Sequence, residues 1–304
     1  MPELEKRTLG RTGLNVTTLG YGAMELRGAP RGREVTKDQA KSILNSVLDS
    51  GINYIDTSID YGDSEELIGE FIAGRRGDFY LASKCGCLVG AAPAERSARM
   101  GHVFTRQNIV AGVEQSLRRM KTDYLDVVQF HGSPSKETLE ENDSLAAVTD
   151  LKRQGKVRFI GMSSTLPNLA DHVKMGVFDV FQIPYSALQR EHEQVISEAA
   201  KAGAGIVIRG GVARGGPGKE QGDFWEAWQK AGLDGLMDGM TRMEFVFRFT
   251  ISHPDMDTTI VGTINPEHLR DNLNALAKGP LPAGVHEEAK RRLDAAGLAP
   301  MRTA

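Results

Sequence analysis

Cysteine is scarce in this chain: 304 residues contain two, Cys85 and Cys87, with one glycine between them. A solitary Cys-x-Cys lacks the second ligand pair of a closed zinc site, and a disulfide across so short a span would be strained. Both are expected to be small residues at a strand end, with thiol chemistry the alternative. Long apolar runs are missing as well. No stretch of about 18 uncharged apolar residues occurs, and MPELEKRTLG has no secretory-type apolar segment, so a soluble cytoplasmic protein with no membrane partner is expected. Neither sign of charge dominates, because 37 Lys and Arg against 40 Asp and Glu leave a net charge of -3. Basic pairs such as Arg75-Arg76 and Arg118-Arg119 fall on helix surfaces or ends, so no cationic face for nucleic acid is expected. The first strand-like run, LGYGAMELRG, also lacks a Gly-x-Gly-x-x-Gly turn, which argues against an open doubly wound sheet.

What the chain does contain is alternation. Apolar, β-prone runs occupy residues 19–24, 52–58, 79–85, 124–131, 157–164, 180–186, 205–210 and 258–263. Segments with helical spacing lie between them, at 36–50, 64–74, 106–120, 138–154, 167–175, 190–202, 237–252 and 266–277. Eight strand-helix units in a chain of this length predict one α/β domain over 1–304, a (β/α)8 TIM barrel. Thr36 with Gln39 fits a reciprocal capping box, Ser64 and Thr105 are expected caps of the next two helices, and Asn265 should cap a helix opened by Pro266. RTLGRTGLNVTTLG reads as an N-terminal β-hairpin closing the barrel bottom, and residues 281–304 as a final helix with a tail over a rim.

Four polar residues, Asp56, Tyr61, Lys84 and His131, stand at or just past the C-terminal ends of separate strand-like runs, where a barrel gathers its reactive groups. A phenol near an ammonium, with a carboxylate holding that ammonium, is a proton donor with its tuning groups; an imidazole can orient a substrate oxygen. Taken singly, the same residues read as a buried ion pair, a rim aromatic and a core histidine. A Schiff-base role for Lys84 is disfavoured, because Asp56 beside it would raise its pKa.

INYIDTSIDYGDSEELIGEF, FYLASK, SLRRMKTDYLDVVQFHG, GKVRFIGMSS, FQIPYSALQRE and IVGTINPEHLRDNL together, in this order, resemble the aldo-keto reductase family across nearly the whole chain. The resemblance implies an NAD(P)H-dependent oxidoreductase that reversibly reduces an aldehyde or ketone to an alcohol, with Asp56, Tyr61, Lys84 and His131 as its catalytic residues. Ser163-Ser164 replaces the family's Ser-Asn pair at the nicotinamide carboxamide, followed by Gln182, and Arg209 takes the place of an aromatic that stacks on the nicotinamide. Gly210, Gly211 and Val212, with Arg214, form the expected pyrophosphate loop of residues 210–218. Past the last strand Gly262, Ile264 and His268 bring no fixed cation for a 2'-phosphate, while Thr263, Asn265 and Asn272 can hold the ribose and adenine end. The family implies NADP; the missing cations imply NAD. Phe224, Trp225 and Trp228 are candidates for a substrate wall, although FWEAW at helical spacing is more often packing; residues 86–104, 214–236 and the tail are candidates for specificity, with Arg96, Arg99 and His102 either meeting a polar substrate or facing water. The family also contains non-catalytic, cofactor-sensing regulatory barrels, which is the alternative function. No feature of the sequence assigns an oligomeric state.

Overall fold

In the computed structural model, which describes residues 3–90 and 101–301, the chain opens with an antiparallel hairpin of β1 (Lys6–Thr8) and β2 (Asn15–Thr17). The eight apolar runs then supply eight parallel strands: β3 (Leu19–Gly22), β4 (Tyr54–Asp56), β5 (Tyr80–Cys85), β6 (Leu125–Phe130), β7 (Val157–Ser163), β8 (Val180–Pro184), β9 (Gly205–Arg209) and β10 (Thr258–Val261). They pair in sequence order, and β10 closes on β3. This is the expected (β/α)8 barrel.

Helices cover its outer face: α1 (Lys37–Asp49), α2 (Ser64–Phe71), α3 (Arg106–Met120), α4 (Lys136–Glu141), α5 (Ser144–Arg153), α6 (Asn168–Met175) and α7 (Glu193–Lys201). They are followed by α8 (Gly216–Lys219), α9 (Asp223–Lys230), α10 (Arg242–Ile251), α11 (Pro266–Ala277) and the C-terminal α12 (Ala283–Ala295). The spacing explains the packing. In α1, Ala40, Ile43, Leu44, Val47 and Leu48 recur every three or four residues and are all buried, so one stripe meets the barrel while the opposite face meets water. Thr36 and Gln39 close the reciprocal capping box, and Thr105 and Asn265 also cap as expected.

Two local readings are corrected. The helix expected over 138–154 is two helices, α4 and α5, because the chain breaks at Asn142-Asp143: Asp143 takes a left-handed φ of 54° and the Asn142 amide turns back to the Thr138 carbonyl. Ser64 is not a cap. It is the first residue of α2, and its buried hydroxyl donates to the Ala23 carbonyl and pairs with the Thr57 hydroxyl.

The barrel interior is filled from below. Leu9, Leu14 and Val16 of the hairpin pack against the inward Tyr54, Ala82, Val127, Val180 and Val207 as a separate apolar cluster. That plug fills the N-terminal end and leaves the C-terminal mouth to polar groups. Leu9 is fully buried, so Leu9→Ala should destabilise the protein by about 3 kcal/mol through lost contact and the remaining cavity. Urea unfolding at neutral pH would show this as a lower midpoint with an unchanged slope.

Candidate active site

Side chains along a strand alternate between faces with a period of two, so the residue two positions beyond each apolar plug residue also points inward, one layer nearer the mouth. Tyr54 leads to Asp56, Ala82 to Lys84, Val127 to Gln129, Val180 to Gln182 and Val207 to Arg209. The upper layer is therefore polar by register. Asp56 is its hub: Oδ1 accepts from Lys84 Nζ at 2.6 Å, and Oδ2 accepts from both Gln129 Nε2 and Gln182 Nε2 at 2.8 Å. Lys84 also donates to the Thr57 carbonyl at 2.7 Å. Asp56 and Lys84 are each 1% exposed, which makes this a desolvated ion pair rather than a surface one. Burial alone would pull the ammonium down, but Asp56, with further contributions from Tyr61 and Asp60, holds its pKa above the ordinary value.

Tyr61 reaches the layer from the loop after β4. Its backbone is fixed by successive turns, Tyr61 N to Ser58 O and Ser64 N to Tyr61 O, at 3.0 and 2.9 Å. Gly62 next to it has φ 49°, and a Cβ there would overlap the Arg27 carbonyl, so only glycine lets the loop close this tightly. The Lys84 ammonium lies 4.9 Å from the phenol ring centre, and the His131 ring stands nearly perpendicular to it at 6.2 Å. All four sequence-predicted groups thus converge. The net effect on the tyrosine pKa is a rise: burial is the largest influence and raises it, Lys84 pulls it down, and Asp56 and Asp60 add to the rise.

His131 has more company than its motif suggested. Cys87 Sγ lies 3.2 Å from its Nδ1, Asp60 Oδ1 lies 3.8 Å away, and the His102 ring packs edge-on at 5.0 Å. Burial, with Lys84 next in effect, pushes its pKa down to about 3, so the ring is neutral. Burial acts to raise Asp60, yet the His131 ring, the Ser58 hydroxyl and Arg31 outweigh it and hold that carboxyl below its ordinary range. Arg31 donates to the Asp60 carbonyl at 2.7 Å and reaches its carboxylate at 3.5 Å. Gln129, Asp60 and Arg31 were missed from the sequence. The period-two rule could have found Gln129, two residues before His131, whereas Arg31 arrives by a loop that carries no such signal.

The cofactor candidates divide. Ser163 donates to Gln182 Oε1 at 3.3 Å and so joins the polar layer. Ser164 turns away from the barrel axis to His172 Nδ1 at 2.8 Å and the Ser133 hydroxyl at 2.9 Å, and is fully buried there. A cavity of about 570 Å³ opens beside the layer, lined by Thr165, Leu166, Gln189, His192, Arg209 and Arg214 among others. Among the described residues Arg209 has no ion pair, and its buried Nε has no hydrogen-bond partner. Burial is the main influence lowering its pKa, and Arg214 adds to it. An unpartnered guanidinium nitrogen and a second arginine at a cavity wall suit an anionic group such as a dinucleotide phosphate. Gly210, Gly211 and Val212 lead into a single 3-10 turn, Ala213–Gly215, and then α8. Trp228 is not a substrate wall: it is fully buried against Phe245 with its indole N-H donating to Asp234, while Phe224 and Trp225 are partly buried against the core. Past β10, Gly262 and His268 are exposed, Thr263 is buried and bonded to the Asn265 backbone, Asn265 caps α11 and Asn272 is half-buried. A Cβ on Gly262 would lie 3.3 Å from Glu25 Cγ, and the Glu25 carboxylate is 3.9 Å from the Arg33 guanidinium. Arg96 and Arg99 lie outside the described residues.

The aldo/keto reductase family model matches residues 18–223, and the chain belongs to that family of NAD(P)-dependent oxidoreductases acting on small-molecule carbonyl compounds. It is 28% identical over 291 residues to an uncharacterized oxidoreductase, YqkF, of Bacillus subtilis, covering 90% of this chain and 91% of that one. Pyridoxine 4-dehydrogenase of Escherichia coli is 28% identical over 284 residues, with 88% and 91% covered. The holo form of the aldo-keto reductase AKR11C1 from Bacillus halodurans superposes with a TM-score of 0.83 at 26% identity, covering 95% and 96%. Among the described residues no helix is long and apolar enough to cross a membrane.

The buried pair yields a test independent of catalysis. Asp56→Leu alone leaves the Lys84 ammonium without its carboxylate and should cost about 3 to 5 kcal/mol, whereas Asp56→Leu with Lys84→Met should recover a large part of that loss. Chemical denaturation of the two single variants and the double variant would measure the coupling.

Proposed function

We propose that this reductase uses Tyr61 as the proton donor to a carbonyl oxygen, with Lys84 and Asp56 as its electrostatic support and His131 orienting the substrate. The observation that carries this reading is the buried Asp56–Lys84 pair set against the Tyr61 ring, with the His131 imidazole edge-on to that ring at 6.2 Å. A nicotinamide dinucleotide supplies the hydride when bound. Ser163 and Gln182 are the candidates for its carboxamide, and Arg209, Gly210, Gly211, Val212 and Arg214 for its phosphates. Gly262, Thr263, Asn265, His268 and Asn272 are the candidates for its adenosine end. Ser164 supports this surface indirectly by tethering the β7 end to His172.

As the carbonyl oxygen gains electron density, the phenol gives up its proton to it and the adjacent Lys84 ammonium stabilises the resulting phenolate. Asp56 keeps that ammonium charged and directed, and the two glutamines fix Asp56. A neutral imidazole at His131 donates or accepts one hydrogen bond and positions the oxygen without competing as an acid. NAD is the favoured cofactor, because no fixed cation stands at Gly262, Ile264 or His268 themselves.

Tyr61→Phe should lower kcat for carbonyl reduction by about 10²- to 10⁴-fold and leave NADH binding nearly unchanged. The pH profile has a definite sign. The donor must be protonated and its pKa is raised, so reduction should stay level through neutral pH and fall only above about pH 10. With His131 at about 3, no break between about pH 5 and 8 should depend on it; a break removed by His131→Gln would contradict this. Cofactor binding without turnover on a panel of aldehydes, ketones and sugars, unaltered by Tyr61→Phe, would favour a cofactor-sensing barrel instead. For the cofactor, kcat/KM with NADH should exceed that with NADPH. Equal or better efficiency with NADPH in the unaltered protein would end the NAD assignment.

A further inference from the structure

The Cys-x-Cys motif, set aside on spacing grounds, acquires partners only in three dimensions. Cys87, His102 and His131 each offer one ligand atom, and all three atoms lie within 4.8 Å of one another. Two thirds of this arrangement is pinned by backbone. Cys87 and His102 face each other across an isolated antiparallel bridge, with Val103 N donating to Gly86 O at 2.7 Å and Leu88 N to Gly101 O at 3.1 Å. The Asn108 amide donates to the carbonyls of both Cys87 and Val103, tying this rung to α3. The third ligand follows because Gly132, at φ 85°, leaves room beside His131: a Cβ there would press on the His102 ring. The ligands therefore stand on elements already held in place, and little ordering is left for an ion to impose.

We propose that Cys87, His102 and His131 form a zinc-class divalent cation site at the barrel mouth, whose occupation slows carbonyl reduction. One thiolate and two imidazoles is a donor set that borderline-soft Zn²⁺ prefers, and these three side chains would supply three of its four tetrahedral positions. Ligand distances agree. A tetrahedral sulfur and nitrogen on zinc lie roughly 3.6 Å apart, and Cys87 Sγ and His131 Nδ1 are now 3.2 Å apart, so a small outward shift of one ring accommodates the ion. Asp60, 3.8 Å from the same nitrogen, adds a negative charge that offsets the influence of Lys84 and Arg209 on His131. On binding, the Cys87 thiol releases its proton to solvent and the sulfur takes up the metal bond.

The effect on turnover rests on the roles given above to His131 and Tyr61. Coordination fixes the imidazole that orients the substrate and sets a divalent charge near Tyr61, which favours phenolate over the phenol that must donate. The binding half does not rest on those roles, and it is measured without cofactor or substrate. Zn²⁺ should bind one ion per chain by calorimetry, and Cd²⁺ should give the ultraviolet cadmium–thiolate band. Cys87→Ser, His102→Asn and His131→Gln should each weaken binding at least about tenfold. Circular dichroism checks that each variant is folded, and His102→Asn, at an exposed position, is the substitution least able to disturb the core. Absence of the cadmium–thiolate band in the unaltered protein, or a band and affinity unchanged in His102→Asn, overturns the site. Zinc should inhibit reduction in the unaltered protein, and a larger concentration should be needed in His102→Asn. Tight binding with no inhibition would leave the site standing and overturn its effect on turnover.

Discussion

The carboxylate of Asp56 is the constraint on which the mouth of this barrel depends. It sits where water is excluded, and a bare charge there would cost more free energy than most single contacts return. Three donors meet it, one ammonium and two carboxamides, drawn from β5, β6 and β8. The carboxylate thereby joins strands that are not neighbours, and it fixes Lys84 in charge and in place. Tyr61 can then sit over an ammonium whose position is set by the scaffold rather than by the loop that carries the tyrosine.

Filling the lower barrel is what makes that polar layer possible. Because the hairpin residues Leu9, Leu14 and Val16 close the interior with apolar contact, the upper inward positions are left to polar side chains in a closed, low-dielectric wall. One consequence is a neutral His131 and an unusually reluctant acid at Tyr61, both driven chiefly by burial. A second consequence is the crowding around His131, where a thiol, a second imidazole and a carboxylate surround the ring proposed to orient the substrate.

On the cofactor side the chain departs from its family by exchange of charge. Arg209 stands where the family has an aromatic and, among the described residues, its buried Nε is unpartnered, while Glu25 beside Gly262 lies 3.9 Å from Arg33. The guanidinium alters the field at the binding groove while the hydrogen-bonded layer around Asp56 remains complete.

The barrel and its four strand-end groups were legible in the residues themselves, since strand period, helix period and a local motif are all short-range properties of a chain. All eight strand runs correspond to the eight strands, and Gln129 could have been added by counting two back from His131. What no local pattern carries is the meeting of groups across loops. Ser164 occupies a cofactor position in the motif, yet its hydroxyl is claimed by His172 of α6; for Trp228 the helical spacing favoured packing, and burial decides for it over a substrate wall. Cys87, distant in sequence from His102 and His131, found its partners through a single bridge between loop segments. The sequence alone determined which side chains line each strand, because alternation along a strand is fixed by backbone geometry. Only the closed tertiary structure decided which of them touch, because loop paths and barrel stagger set distances that no repeat encodes.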